Sequence, residues 1–176
     1  MELDYQAMLA ELVGADVINI HGGGVYGDKA SALKRFRENF VQLPERVRSR
    51  LTLENDDVCY TVDDLIPVCK DMHIPLVYDV HHHRCLADNL SLQEATLGSI
   101  ETWKALGREP YFHISSPRDS YDSHTPGPHA EFISADDFPR EWLDFNITVD
   151  VEAKAKELAV LKLKKDLEAM IADPMS

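Results

Sequence analysis

Short apolar runs recur down the chain, and each closes on a polar residue able to bind a cation. The runs are INIHGGG, LTLEND, LVYDVHHH, YFHISS and NITVDVE. Between them the apolar spacing changes to the roughly 3.6-residue repeat of a helix. Residues 2–13 set Tyr5, Met8, Leu9 and Leu12 at helical spacing, and Gly14 ends that helix. Asp16–Ile20 reads as a buried strand, followed by His21 and three glycines. A helix over 29–42 carries Leu33, Phe36 and Phe40 on one side, and Leu51–Glu54 is the second strand. Thr61 caps a helix running to about His73, and Pro75–Asp79 is the third strand. Ser91-Leu-Gln-Glu94 is a capping box, which starts a helix that stops at Gly107. Tyr111–Ile114 is the fourth strand. A loop rich in Ser, Pro, Gly and His fills 115–130, a length that in a compact domain points to function or disorder. The fifth strand lies near Phe145–Val149, and a helix over 152–171 closes the chain.

This alternation predicts an α/β fold, a parallel sheet wrapped by helices, as one domain over 1–176. A complete eight-unit TIM-type β/α barrel typically takes ~250 residues. The 176 residues hold about five units, so the expectation is a partial barrel. Five units leave two open sheet edges, which predicts self-association or dependence on residues outside this sequence.

The polar residues at the strand ends set the candidate chemistry. His21, Glu54, Asp79, His82, His113, His129 and Glu152 sit at or just past the ends of apolar runs, or in the loop between them. Barrel enzymes build their sites on the face where strands end. Carboxylates mixed with imidazoles suit divalent ions such as zinc and manganese. In Asp79-Val-His-His-His, Asp79 and His82 can reach one site from strand end and loop. Persisting extension would turn His81 and His83 to the opposite side. Some of these residues have plainer readings when taken alone: His113 as a core histidine, Glu152 as a solvated residue of a helix's first turn. The three glycines after His21 lack the lysine of a phosphate loop, so nucleotide binding is a weak reading. His124 and His129 share the long loop, and spacing does not separate them.

The formal net charge of -13 argues against a basic nucleic-acid-binding face. Bound divalent ions would offset part of it. The basic residues are also clustered, with seven (Lys29, Lys34, Arg35, Arg37, Arg46, Arg48, Arg50) against three acids between Asp28 and Arg50. No apolar run of ~18 residues is present, so no membrane span is expected. MELDYQAML lacks the basic and apolar regions of a signal peptide. Cys59, Cys69 and Cys85 have no CxxC spacing and read as reduced thiols of a cytoplasmic protein.

HGGGVYGDK, RLTLEND, YDVHHHRC, HISSP, PHAEFI and VEAKAKE, in this order and spacing, resemble the UV damage endonuclease family, within the xylose isomerase-like barrels. The resemblance spans nearly the whole chain and places it as the C-terminal part of such an enzyme. It implies two or three divalent ions, manganese first, with zinc or magnesium as alternatives. It implies damaged double-stranded DNA as partner and incision 5′ to a photolesion. Carried over by motif, His21, Glu54, Asp79, His82, His113, His129 and Glu152 become metal ligands, with Glu54 bridging two ions. His129 is preferred to His124 because it heads HAEFI. Glu54, Asp79 and Glu152 are the catalytic candidates, and Lys29 and Arg84 the DNA contacts. The family carries further N-terminal strands that nothing here matches. It also carries a lysine, often carboxylated, where this chain has Tyr111, which cannot form a carbamate.

The expected reaction is metal-assisted phosphodiester hydrolysis. A metal-dependent sugar isomerase or epimerase on the same scaffold is the rival enzyme, and an inactive barrel fragment the non-enzymatic alternative.

Overall fold

Strand pairing follows chain order. A computed structural model describes residues 2–172. Its single sheet has the order β1-β2-β3-β4-β5, each strand parallel to the next. The strands are β1 (Ile18–His21), β2 (Leu51–Glu54), β3 (Leu76–Asp79), β4 (Tyr111–Ile114) and β5 (Thr148–Val151). Helices α1 (Glu2–Val13), α2 (Lys29–Phe40), α3 (Glu45–Arg48), α4 (Val62–Met72), α5 (Val80–Cys85), α6 (Leu92–Lys104) and α7 (Glu157–Ala172) precede, separate and follow them. Parallel neighbours joined by crossover helices are the arrangement of a barrel wall. The sequence predicted that architecture, and the partial barrel is what forms.

Each strand splits its side chains between two faces. Leu51, Leu53, Leu76, Tyr78, Phe112 and Ile114 join the helix-side core with Val62, Leu65, Val68 and Ile100. The opposite face carries Asp79 and also Asn19, His21, Thr52, Glu54, His113 and Asp150, the last six linked by hydrogen bonds and ion pairs. The inner wall is therefore polar where the strands end.

Capping fixes the helices of the middle of the sheet. Thr61 and Asp64 form a capping box on α4, and Ser91 and Glu94 form another on α6. Both supply partners for the free N–H groups of a first helical turn.

Several boundaries differ from the sequence reading, among them β1, which is Ile18–His21 rather than Asp16–Ile20. The histidine run after β3 is not extended: Asp79 accepts a hydrogen bond from the His82 amide and starts α5 there. Helix α6 ends at Lys104, with a turn before Gly107. Strand β5 is Thr148–Val151 rather than Phe145–Val149, because it pairs with Tyr111–Ile114 in that register. The last helix begins at Glu157, so Glu152 belongs to the strand end and not to a first helical turn.

The flanking helices are the least covered. In α1, Ala7 and Ala10 are buried while Leu12 and Val13 are 75% and 77% exposed. In α7, Leu158 and Leu161 are likewise exposed. A hollow of about 510 Å³, lined by Leu3, Leu9, Val13, Val17, Ile18 and Ile20 among others, lies along α1 and edge strand β1. Among the described residues no helix is long and apolar enough to cross a membrane.

Candidate metal centre

Glu54 is the hub of the inner wall. It ends β2 with its side chain only 5% exposed. Its Oε1 lies 3.1 Å from His113 Nδ1, 3.3 Å from His21 Nε2 and 3.5 Å from His82 Nδ1. Its Oε2 accepts a hydrogen bond from Asn19, and Asn19 in turn accepts one from Thr52. Burial alone would raise the Glu54 pKa. Hydrogen bonds from His113 and His21 outweigh it and hold the carboxyl well below the usual range.

Asp79 stands beside it, fully buried. Asn55 bonds both backbone groups of Asp79, donating to its carbonyl at 2.8 Å and accepting from its amide at 2.9 Å. The carboxylate is used asymmetrically. Oδ1 accepts the His82 amide at 2.9 Å, while Oδ2 is buried with no hydrogen-bond partner. Burial pushes the Asp79 pKa upward, and the His82 charge and amide oppose it. An orphaned buried oxygen of this kind costs about 1–3 kcal/mol unless a cation or proton satisfies it.

The three successive histidines point three ways because they lie on a helix. His82 Nδ1 is 2.9 Å from the Asn55 carbonyl. A carbonyl only accepts, so Nδ1 carries a proton, and Nε2 is the nitrogen left to bind a metal when the ring is neutral. His81 and His83 have both ring nitrogens engaged elsewhere. His81 meets Tyr121 and Gly127, and His83 meets Tyr78 and Asp88. Of the run, only His82 faces the cluster, as the sequence reading had it, though through helical rather than strand geometry.

Strands β4 and β5 close the wall. His113 Nδ1 is 3.2 Å from Glu152 Oε1, and Glu152 Oε2 is 3.7 Å from His129 Nδ1. Burial of His113 disfavours its charged form. The carboxylates of Glu152 and Glu54 outweigh that and push it up to about 10. The same contact with His113, first among several, lowers the Glu152 pKa. His129 sits in the long loop, and His124 is exposed on it. The structure therefore gathers His21, Glu54, Asp79, His82, His113, His129 and Glu152 on one end of the sheet.

Two overlapping triads have cation-ligand geometry. One ligand atom from each of His21, Glu54 and His82 lies within 4.8 Å of the others, and the same holds for Glu54, Asp79 and His113. Glu54 is common to both. The donor set, two carboxylates and three neutral-capable imidazoles, fits a divalent ion. The unpartnered Asp79 Oδ2 faces the same need.

Sequence reasoning missed three residues of the site. Asn19 orients Glu54, Asn55 fixes Asp79, and Asp150 Oδ2 lies 3.7 Å from His113 Nε2. The signal was present: Asn19 and Asp150 precede His21 and Glu152 by two residues, the spacing that shares a strand face.

The glycines after His21 have local reasons. A Cβ on Gly22 would come within 2.7 Å of the Tyr60 ring, and Gly23 has φ +77°.

Residues 2–174 match the family described as UV-endonuclease UvdE. The chain belongs to this family. Among its UvdE relatives, the UV DNA damage endonuclease of Bacillus velezensis is 39% identical over 166 residues, covering 90% of this chain and 51% of its own length. That of Bacillus pumilus is 38% identical over 174 residues, covering 97% and 54%. The crystal structure of SacUVDE superposes with a TM-score of 0.83 at 32% identity, over 96% of this chain and 57% of that one. The chain thus spans about half the length of the UvdE relatives it matches.

The predicted DNA contacts are paired within the chain. Lys29 pairs with Asp64 at 2.6 Å. Arg84 donates to the Asp137 carbonyl at 2.7 Å and lies over the Tyr121 ring. The basic stretch from 29 to 50 is also paired: Lys29, Lys34, Arg37, Arg46, Arg48 and Arg50 each have a carboxylate within 3.9 Å. Tyr111 packs its ring on Trp103 at 5.5 Å.

Proposed function

We propose that this chain is the metal-binding part of a DNA-repair endonuclease that hydrolyses the phosphodiester 5′ to a UV photolesion in duplex DNA. The observation that carries the reading is Asp79 Oδ2, buried beside Glu54 and His82 without a hydrogen-bond partner. Such an atom calls for a partner, whether water, proton or cation, and the carboxylate and imidazoles gathered beside it favour the cation. Divalent ions, manganese first, would be held by His21, Glu54, Asp79, His82, His113, His129 and Glu152. What such ions supply is a lowered pKa for water and neutralisation of phosphoryl charge.

The remaining work belongs to the chain's own groups. Asn19 and Thr52 aim the Glu54 carboxylate, and Asn55 sets the height of Asp79. Glu54, Asp79 and Glu152 are the carboxylates positioned to hold or accept protons around the phosphodiester. Lys29 and Arg84 are the proposed phosphate contacts. The half-exposed Lys29–Asp64 pair opens at little cost, whereas Arg84 acts from a fixed place.

Incision of UV-irradiated duplex in the presence of Mn²⁺ tests the reading. Nicking that stops with chelator and with Glu54→Gln supports it. No incision by a chain of the relatives' full length, with metal bound, rejects it. Interconversion of aldoses and ketoses by that protein would favour the isomerase instead.

A further inference from the structure

Of the seven cluster residues, His129 alone lies in a loop; the others sit on strands, at strand ends or, for His82, on α5. It lies at the foot of a long loop whose two limbs meet in a small antiparallel ladder. Pro117 bridges His129, the Arg118 amide donates to the Pro128 carbonyl at 2.7 Å, and the Ala130 amide donates to the Ser116 carbonyl at 2.9 Å. Beyond that ladder most side chains of 118–125 are exposed, so apolar packing does not fix the loop.

Polar contacts from α5 do. The His81 ring is fully buried. Its Nε2 lies 3.0 Å from the Gly127 carbonyl and its Nδ1 3.2 Å from the Tyr121 hydroxyl. The carbonyl only accepts, so Nε2–H donates to Gly127 and Nδ1 accepts from Tyr121. Both limbs of the loop are thereby tied to one imidazole. Arg84, one turn along the same helix, lies over the Tyr121 ring at 5.8 Å. Gly127 lies against Asp57, where an added Cβ would meet the tip of that side chain. The His81 ring also stands 5.3 Å from the His129 ring, edge to face.

We propose that His81 is a positioning residue: through Gly127 and Tyr121 it holds the loop that delivers His129, and so sets His129 against His82 on the same helix. The inference rests on the metal-site reading above only for its consequence, not for its geometry. Helix α5 is anchored at the end of β3 by the Asp79 cap, so His82 and His81 move as one body. A loop pinned to that body keeps a constant distance between the two imidazoles.

The test has a metal-free arm and a metal arm. In the first, histidine ring resonances of the metal-free protein are compared among wild type, His81→Phe and His81→Gln, with His129 assigned from His129→Ala. His81→Phe is expected to shift or broaden the His129 signals and leave those of His21 and His113 in place. Gln, which can both donate and accept, restores them. Tyr121→Phe removes only the hydroxyl, and it is expected to give a smaller change of the same kind if His81→Phe does not fold. Unchanged His129 signals in His81→Phe, or in Tyr121→Phe where His81→Phe is unfolded, overturn the inference whatever the metal does.

In the second arm, Mn²⁺ alone is titrated calorimetrically. Supporting groups of metal ligands typically contribute about 10–100-fold in affinity. His81→Phe is expected to weaken Mn²⁺ about 10-fold in the wild-type background and hardly at all in His129→Ala. An equal loss in both backgrounds makes His81 a general structural residue and overturns the assignment. A wild type that takes up no Mn²⁺ rejects the metal reading, while the ring resonances still decide the clamp.

Discussion

Replacing Glu54 by Gln keeps its shape and removes the charge that three imidazoles share. Mn²⁺ affinity is then expected to fall by more than about 100-fold in a calorimetric titration, beyond the range typical of supporting residues. Mn²⁺ at ~100 times its Kd should stabilise the wild type by about 2.7 kcal/mol, and the Glu54→Gln variant far less, in thermal unfolding with and without chelator. Asn55→Ala tests the layer behind. It strands the buried amide and carbonyl of Asp79, and a loss of about 2 kcal/mol is expected in urea unfolding. Six of the cluster residues were legible because each lies at or just past the end of an apolar run; His129, in the long loop, came only from the family resemblance. The residues that orient them were not legible. Asn19, Asn55 and Asp150 look like ordinary polar positions until strand pleating places two of them beside His21 and Glu152. Arg84 adds a constraint that its charge and position did not show: Asp137 and Tyr121 hold the side chain, so a phosphate would meet it in a fixed place.

Capping decided the elements more than apolar spacing did. The Ser91–Glu94 capping box and the Thr61 cap were read from sequence and both form, Thr61 with Asp64 completing a second box. Thr61→Ala is expected to cost about 1 kcal/mol in chemical denaturation and to leave Mn²⁺ uptake unchanged. Asp64 gives that same helix end a pH dependence. Burial raises its pKa, but bonds from Lys29 and Thr61 lower it overall. A depressed carboxyl contributes stability above its unfolded value, here 3.8, and loses it as pH falls through the folded one. The stability gap between wild type and Asp64→Asn should therefore be full at neutral pH and close as the solution is acidified below 3.8, read from unfolding midpoints. Helix α5 escaped the sequence reading because six residues carry too little periodicity to register, and its cap, Asp79, also ends a strand. Strand β5 was misplaced because Phe145 and Ile147 continue the apolar pattern upstream. Pairing with Tyr111–Ile114, not hydrophobicity, sets its limits.

At the scale of the whole molecule, alternation of helix and strand was enough to give the parallel wall, but not the state of its margins. Tyr5, Met8 and Leu12 looked like the buried stripe of α1, yet they stay exposed because that stripe has too little of the sheet to cover. Leu161 of α7 is 63% exposed at the other end. Sedimentation velocity is expected to show concentration-dependent association of the wild type, weakened when Leu12 and Leu161 are both changed to Glu. A monomer at every concentration would contradict that. The strand order has one more consequence. Since each strand is bonded only to those next to it in the chain, nothing already folded has to be withdrawn for the wall to grow. A separately synthesised polypeptide bearing further β/α units would meet a finished margin. Completing the ring would then be an act of docking, with no threading step.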